Sequence, residues 1–347
     1  MSNKIKVGVI GTGGIARSRH MPAWQKCPDV EIVAICDTDE QILDLAAQTF
    51  GVKRKFTDYR KMLEMEEIDV ADVCTPNFAH KEPTVLALQA GKHVLVEKPL
   101  ARNAEEGTAM VEAARKAGKK LMVAYCMRWR PDVRALKRFI DAGDMGEIYY
   151  ARVHALRRRG IPGWGVFTQK DKQGGGPLID IGCHILDITL WLMGHPKPVA
   201  ASGLCYTKFG TRPGLVGLLG AWDHTNYTVE DFATALVRFD NGASLTIESS
   251  FAANIERDVF NTTILGTEGG CQLEPLRIFK EERQTLVDSS PVFLPQVSWH
   301  EAQIFDFVEA VRDDKPVSVP GEEGLMVTKI LDAIYKSSGE GKEVSIA

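Results

Sequence analysis

The stretch that decides the fold is VGVIGTGGIA, residues 7–16. Its apolar start is typical of a buried strand, and the glycines that follow fit the pattern G-x-G-x-x-A ahead of a helix near Ile15–Gln25. Gly11 permits a tight turn, Gly13 lets a pyrophosphate approach the backbone, and Ala16 allows close helix packing. Because free N–H groups at the start of a helix attract anions, this segment predicts a dinucleotide-binding turn.

A carboxylate follows the second predicted strand, Val30–Cys36. Asp37 stands where it can accept hydrogen bonds from both hydroxyls of a ribose, and its charge would repel a 2′-phosphate. The next residues, Thr38 and Asp39, add no positive charge. These residues predict NAD as the cofactor in preference to NADP, with a ligand-free glycine turn as the alternative.

Strands and helices alternate regularly through the first third of the chain. Such alternation with buried strands is typical of a parallel sheet covered by helices on both faces. Beyond the elements above, the predicted segments are helices at Asp39–Phe50, Asp58–Met65, Phe78–Ala90 and Ala104–Ala117, and strands at Lys55–Phe56, Val70–Cys74, Val94–Val96 and Leu121–Ala124.

The pattern changes after Ala124, where longer strand-type segments appear. The sequence predicts strands at Ile148–Leu156, Val199–Cys205, Phe232–Phe239, Ala243–Phe251 and Asn261–Leu265, a hairpin turn at 240–242, and helices at Asp132–Ala142, Trp299–Arg312 and Glu322–Ser338. We therefore expect an α/β Rossmann domain over residues 1–125. An α+β domain with an open, mostly antiparallel sheet is expected over residues 126–347. One face of that sheet needs a cover, which predicts a homodimer or homotetramer.

Composition excludes several functional classes. Lys and Arg total 42 against 46 Asp and Glu, so the formal net charge is −4, and no basic stripe predicts nucleic-acid binding. The seven scattered cysteines form no C-x-x-C pair and are typical of a reducing compartment. No apolar run is long enough for a membrane span, and the expected location is the cytoplasm.

Two motifs follow predicted strands of the first domain. Thr75-Pro76-Asn77, with His80 three residues on, comes at the carboxyl end of a central strand, where ligands bind in open α/β sheets. A plain strand-to-helix turn is the alternative. Glu97-Lys98-Pro99 follows a buried apolar strand, and a lysine there is unusual because its charge is costly to desolvate. We expect Lys98 near the nicotinamide end of a cofactor, unless it is a surface lysine paired with Glu97.

A glycine-rich segment opens a helix in the second domain. The three glycines at 174–176 are expected to give a flexible approach to a helix that runs to about Met193. Asp180 and His184 are four residues apart, which places them on one face of an α-helix. His184 has the intrinsic pKa for proton transfer near neutral pH. No third ligand is evident nearby, so we expect no metal, and a purely structural pair is the alternative.

These motifs, in this order, resemble the glucose–fructose oxidoreductase / inositol dehydrogenase (Gfo/Idh/MocA) family. The likeness covers nearly the whole chain, and it implies a Rossmann domain followed by an α+β domain. It also implies that Lys98, Asp180 and His184 are the catalytic residues. The cofactor contacts that we expect are Gly11, Thr12, Gly13, Gly14, Ile15, Asp37, Thr75, Pro76, Asn77, His80, Glu97 and Lys98.

The resemblance implies an NAD-dependent oxidoreductase that moves a hydride to or from a secondary or anomeric hydroxyl carbon of a sugar or cyclitol. In this reading His184 is the general base, Lys98 stabilises the reacting oxygen, and Asp180 orients the substrate or the imidazole. Arg128, His154 and Trp164 are expected to help line the sugar pocket. The alternatives are an NAD-using glycoside hydrolase or sugar isomerase with transient oxidation, and a non-catalytic dinucleotide-sensing regulator.

Overall fold

The computed structural model describes residues 4–346 and divides them into two compact units. The first contains residues 4–129 and 298–325, and the second contains residues 130–297 and 326–346. The sequence-based division after residue 125 lies close to the point where the chain first leaves the first unit. The later return of 298–325 has no counterpart in that division.

The first unit is built on a six-stranded parallel sheet with the order β3-β2-β1-β4-β5-β6. Its strands are β1 (Ile5–Ile10), β2 (Val30–Cys36), β3 (Arg54–Phe56), β4 (Val70–Val73), β5 (His93–Val96) and β6 (Leu121–Val123). Strands β4 and β5 are buried along nearly their whole length, as expected for a sheet covered on both faces. This is the doubly wound arrangement predicted from the sequence.

Helices and short helical turns connect these strands. They are a π-helical turn (Ala16–His20) leading into α1 (Met21–Lys26), α2 (Glu40–Phe50), α3 (Tyr59–Leu63), a 3₁₀ turn (Asn77–Ala79), α4 (Lys81–Gln89), α5 (Ala104–Ala117), and a 3₁₀ turn (Cys126–Trp129). Local sequence sets their ends. Asp39 accepts hydrogen bonds from two backbone N–H groups at the start of α2, and Gly118 ends α5 in the left-handed region at φ 61°.

The second unit is built on a nine-stranded sheet with the order β14-β13-β12-β11-β7-β10-β9-β8-β15. Its strands are β7 (Ile148–Leu156), β8 (Pro198–Tyr206), β9 (Phe232–Phe239), β10 (Ser244–Ser250), β11 (Val259–Gly266), β12 (Gly269–Gln272), β13 (Arg277–Glu282), β14 (Thr285–Ser289) and β15 (Val344–Ser345). All neighbours are antiparallel except β7 and β10, which run parallel. The prediction of a mostly antiparallel sheet is confirmed.

The remaining helices are α6 (Pro131–Asp141), α7 (Lys170–Gln173), a π-helical turn (Leu178–Gly182) leading into α8 (Cys183–Leu192), α9 (Trp299–Arg312) and α10 (Gly321–Glu340). Helix α8, the π-helical turn before it and the second half of α10 pack on one face of the nine-stranded sheet. The predicted hairpin is confirmed, because β9 and β10 pair across Gly242, whose φ is +86°. The three strands β12, β13 and β14 were missed by the sequence reasoning.

Candidate active site

The glycine turn after β1 is shaped by the neighbouring strand ends. The φ of Gly11 is +87°, and its N–H donates to the Cys36 carbonyl at 2.8 Å. A Cβ added to Gly11 would lie 2.9 Å from the backbone of Cys74 and Thr75. Glycine is therefore required here both by the left-handed conformation and by the close approach of β4.

The next two glycines face open space. A Cβ added to Gly13 or Gly14 would meet no protein atom within 4 Å, although the helical segment that leads into the turn at Ala16 begins at Gly14. Two positions without side chains, open to solvent and next to the start of a helix, form a cradle that fits a pyrophosphate. The residues present thus fit the dinucleotide that the sequence predicts.

Asp37 lies beside this cradle. Its carboxylate accepts the Thr12 N–H at 2.7 Å and the Thr12 hydroxyl at 3.1 Å, and its other oxygen accepts the Asp39 N–H. The carboxylate is therefore held at the end of β2, against the turn. One cation that sequence reasoning missed also lies here, because Arg17 Nε donates to the Thr12 carbonyl at 3.0 Å. The sequence feature that could have indicated this cation is the position of Arg17, three residues after Gly14.

The Thr75-Pro76-Asn77 segment continues from β4 into its 3₁₀ turn, as predicted for a strand end at the ligand edge of the sheet. Asn77 is buried, and the Thr75 hydroxyl donates to the Ala79 carbonyl. His80 is 1 % exposed, and its two ring nitrogens lie 2.8 Å from the Thr75 carbonyl and 2.9 Å from the Pro99 carbonyl. Both ring nitrogens of His80 therefore lie against backbone carbonyls. Burial lowers the pKa of this histidine.

The Glu97-Lys98-Pro99 turn follows β5 at the same edge of the sheet. Glu97 is buried and donates its N–H to the Val73 carbonyl, which continues the pairing of β4 with β5. Its side-chain Oε2 accepts the Lys98 N–H at 3.1 Å. Lys98 is half-buried, and Pro99 is buried behind it. The glycine turn, Asp37, Thr75 and Lys98 thus follow the carboxyl ends of β1, β2, β4 and β5, four neighbouring strands of one parallel sheet.

In the second unit, Asp180 and His184 lie on consecutive helical segments. Asp180 is buried within the π-helical turn Leu178–Gly182, whereas the half-buried His184 belongs to α8. The argument that a spacing of four places them on one α-helical face does not apply unchanged, because a π-helical turn is wider than an α-helical one. The hydroxyl of Ser249 donates to the Pro177 carbonyl at 2.8 Å and anchors this turn on β10.

The glycines before this turn are tightly packed. A Cβ on Gly175 would lie 2.0 Å from the Tyr335 hydroxyl oxygen, and a Cβ on Gly176 would lie 2.2 Å from the Glu230 carbonyl oxygen. The surrounding atoms leave no room for a side chain at these two positions, whereas the flexibility expected of the glycine approach stays a prediction.

A buried carboxylate fixes the same segment. Glu230 accepts the Gly176 N–H at 2.9 Å, the Leu178 N–H at 3.2 Å and the Tyr335 hydroxyl at 2.8 Å. Burial raises the pKa of Glu230, and the hydrogen bonds from Gly176 and Tyr335 oppose that shift. Glu230 therefore holds Gly176 and Leu178, which lie four and two residues before Asp180, by hydrogen bonds to their backbone. Sequence reasoning missed it because 50 residues separate it from Asp180 along the chain.

The three residues expected to line a sugar pocket have different surroundings. Arg128 is 1 % exposed and donates to Glu323 and to the Ser318 carbonyl, so it is an internal contact of the first unit. His154 is half-buried on β7, on the face opposite Val153 and Ala155, and its place in a sugar pocket stays a prediction.

Trp164 is 55 % exposed and stands edge-to-face against Phe167. It lines a polar cavity of about 400 Å³ together with Gln169, Asp223 and Asn226. An exposed indole beside amide and carboxylate groups is the kind of surface that sugar rings contact, so the placement of Trp164 is compatible with its predicted role.

Two family models together match most of the chain. One, described as an oxidoreductase family with an NAD-binding Rossmann fold, matches residues 5–125, and its partner, the C-terminal alpha/beta domain of the same oxidoreductase family, matches residues 137–346. The chain belongs to the Gfo/Idh/MocA family. This Gfo/Idh/MocA chain is therefore an oxidoreductase whose first domain is an NAD-binding Rossmann domain.

Named relatives of this Gfo/Idh/MocA oxidoreductase are sugar and cyclitol dehydrogenases. It is 35 % identical over 346 residues to D-glucoside 3-dehydrogenase of Escherichia coli, covering 99 % of this chain and 98 % of that one. It is 34 % identical to scyllo-inositol 2-dehydrogenase (NADP(+)) of Bacillus subtilis, covering 99 % and 96 %. A solved levoglucosan dehydrogenase in complex with NADH has a TM-score of 0.87, with 26 % identity and 99 % of both chains covered.

Proposed function

We propose that this protein is an NAD-dependent dehydrogenase that oxidises a secondary ring hydroxyl of a sugar, with a glucoside as the leading substrate class. The single observation that carries the proposal is the carboxyl edge of the parallel sheet. There the open cradle at Gly13 and Gly14, the carboxylate of Asp37 and the side chain of Lys98 follow neighbouring strands. The 35 % identity to a D-glucoside 3-dehydrogenase over almost the whole chain supports the substrate class.

The chain's own residues supply the acid–base chemistry. When bound, NAD⁺ would supply the acceptor for the hydride, and the protein would supply a base for the hydroxyl proton. His184 is the proposed base, since an imidazole titrates near neutral pH. Lys98 is proposed to donate a hydrogen bond to the reacting oxygen, a contribution of about 3 kcal/mol for a well-placed donor. Asp180 is proposed to orient the substrate or the imidazole.

Substrate oxidation tests this proposal directly. The protein is incubated with NAD⁺ and a panel of methyl glycosides, anhydrosugars and inositols, and NADH is followed by its absorbance. We expect NADH formation with at least one pyranoside and a loss of about 10³-fold or more in kcat for Lys98→Met, with NADH binding retained. Net conversion of a glycoside with no accumulation of NADH would instead indicate transient oxidation, as in a hydrolase or isomerase.

The choice of NAD over NADP rests on Asp37. A carboxylate held against the glycine turn repels a 2′-phosphate, although the scyllo-inositol dehydrogenase among the relatives carries NADP(+) in its name. We expect the ratio of kcat/KM for NAD⁺ to that for NADP⁺ to exceed one, and to fall by about tenfold or more in Asp37→Ser. A ratio that does not change would remove Asp37 from the explanation.

A homo-oligomer is proposed for the same protein, formed through the open face of the nine-stranded sheet. Gly203 packs against Ile334 of α10, so the alternation of β8 turns Leu204 and Tyr206 to the other face. These residues are 49 % and 37 % exposed, and the ring of Tyr206 contacts that of Phe232 of β9 at a tilt of 53°. Light scattering should give a dimer or tetramer, and Leu204→Arg should lower the mass. A monomeric wild-type protein would contradict the proposal.

A cytoplasmic location is also proposed. None of the seven cysteines, all of which lie within the described residues 4–346, forms a disulfide, and six of them are buried. Buried thiols of this kind are typical of proteins kept under reducing conditions. Separately, no helix within residues 4–346 has the length and apolar composition needed to cross a membrane. Fractionation of the host cells tests the location.

A further inference from the structure

A buried histidine connects the cofactor turn to the turn that carries Lys98. His20 is fully buried and ends the helical turn that begins at Ala16, directly after the glycine cradle. Its Nδ1 lies 3.0 Å from both carboxylate oxygens of Asp72, and its Nε2 lies 2.9 Å from Glu97 Oε1. The ring therefore links β4 to the residue that follows β5.

The geometry specifies the charge state of this ring. Ionised carboxylates only accept hydrogen bonds, so between ionised Asp72 and Glu97 the ring donates from both nitrogens, as an imidazolium does. Burial lowers the pKa of His20, but the charge of Asp72 and the hydrogen bond to it outweigh this effect and raise the pKa well above its usual value. Trp24 Nε1 donates to Asp72 at 2.7 Å and satisfies the same buried carboxylate.

Three other groups near His20 or Glu97 are uncharged, whereas the cations of Lys98 and Arg19 also act on this cluster. The Cys74 Sγ lies 3.4 Å from Nδ1, and burial raises the pKa of this thiol, so it stays protonated. Cys126 and His300 contact each other at 3.4 Å, and both interact with Glu97. Burial raises the pKa of Cys126 to about 12 and lowers the pKa of His300, so both are uncharged near neutral pH. His20 is therefore the buried ring that contacts both Asp72 and Glu97 and offers each a positive charge.

The cluster also contains residue types that bind metals, because ligand atoms of His20, Asp72 and Cys74 lie within 4.8 Å of one another. The hydrogen bonds account for it without an ion. A ring that donates from both nitrogens has no lone pair to offer a metal, and one Asp72 oxygen already accepts the indole N–H.

We propose that His20 is a positioning residue: as a buried imidazolium between Asp72 and Glu97, it fixes the Glu97 carboxylate and, through it, the backbone of Lys98. Glu97 Oε1 accepts from His20, and Glu97 Oε2 accepts the Lys98 N–H at 3.1 Å. The inference rests on the proposed function, because it assigns His20 the role of positioning Lys98. His80 holds the far side of the same turn through the Pro99 carbonyl.

Removing the ring would leave two buried carboxylates without the cation between them. Uncompensated buried carboxylates turn toward water or take up a proton, and in either case Glu97 no longer holds its present position. The Lys98 turn would then shift, and a displacement of about 1 Å at a reacting group can cost about 100-fold in rate. Gly13 and Gly14 follow β1, whereas Glu97 follows β5, so pyrophosphate binding at the glycine cradle should persist.

The test compares His20→Gln, Glu97→Gln and the double variant with a matched control, His93→Gln. His93 begins β5, the strand that ends directly before Glu97, and its ring accepts the Lys120 N–H at that far end. We expect kcat to fall about 10- to 100-fold in His20→Gln, with the NADH dissociation constant and the sugar KM changing less than about threefold. The pH profile of kcat should move in His20→Gln and stay in place in His93→Gln.

The double variant decides whether His20 acts through Glu97. If it does, the double variant loses no more kcat than the worse single variant, whereas independent roles would multiply the two losses. A folded His20→Gln protein with full kcat and an unmoved pH profile would overturn the proposal. If His20→Gln does not fold, Glu97→Gln keeps the ring and tests the same link, and full kcat in that variant would also overturn it. Lys98→Met separates the two proposals. An active Lys98→Met protein would refute the proposed function. An inactive Lys98→Met protein together with a fully active His20→Gln protein would refute only the inference about His20.

Discussion

The glycine turn offers a test in which two substitutions two residues apart have opposite consequences. Gly13→Ala places a methyl group in open space, since no protein atom lies within 4 Å of the added Cβ. Gly11→Ala places it 2.9 Å from the backbone of Cys74 and Thr75, on a residue with φ +87°. The first change should therefore affect only the ligand, and the second should affect the fold.

The magnitudes follow from the same geometry. The left-handed conformation costs alanine about 1–2 kcal/mol. The overlap with the backbone of the neighbouring strand adds about 1–3 kcal/mol. Gly11→Ala should therefore lower the free energy of unfolding by about 2–5 kcal/mol, or the Tm by about 5–15 °C. Gly13→Ala should leave the Tm within about 1–2 °C, because surface changes stay within about 0.5 kcal/mol.

The assay pairs thermal denaturation with NADH binding followed by fluorescence. We expect Gly13→Ala to weaken NADH at least about tenfold, since a methyl group in the cradle keeps the pyrophosphate from the backbone. Gly14→Ala serves as a second probe of the open side of the turn, because its added Cβ also meets no protein atom. The reasoning is refuted if Gly13→Ala binds NADH normally, or if Gly11→Ala is as stable as the wild-type protein.

Two more predictions follow from the packed interior. Gly176→Ala should lower the Tm and reduce kcat by about 10- to 100-fold, because its Cβ would lie 2.2 Å from the Glu230 carbonyl oxygen and displace the segment leading to Asp180. The control is Gly339→Ala, an unobstructed position in α10, which should raise the Tm slightly. Equal effects of the two changes on the Tm would contradict this prediction. Because the pKa of His20 is raised in the folded protein, its contribution to stability is complete below its unfolded pKa of about 6.5 and is lost as the pH rises through the raised value. The Tm of the wild-type protein should therefore fall more steeply above neutral pH than the Tm of His20→Gln. Parallel curves of Tm against pH would show that His20 does not titrate in this way.

Local sequence patterns predicted much of the fold. The glycine turn, the alternation of buried strands with helices, and the Asn241-Gly242 hairpin each depend on a few neighbouring residues, and the structure confirms all three. The strands β12 to β14 were missed because they are short and because β13 and β14 carry charged and exposed residues that hide the alternation of an apolar face. The π-helical turns were missed because they lie within continuous helical patterns.

What the sequence by itself determined is the order of chemical groups at the sheet edge: a glycine cradle, a carboxylate after β2 and a lysine after β5, each set by the strand it follows. Only the tertiary structure decided what holds them, since His20, Asp72 and Glu97 come from three separate segments. Glu230 in the second unit is equally remote in sequence from Gly176 and Leu178, whose backbone it holds. Buried polar groups must find partners wherever the chain brings them, and residue spacing carries no record of a contact made across dozens of positions.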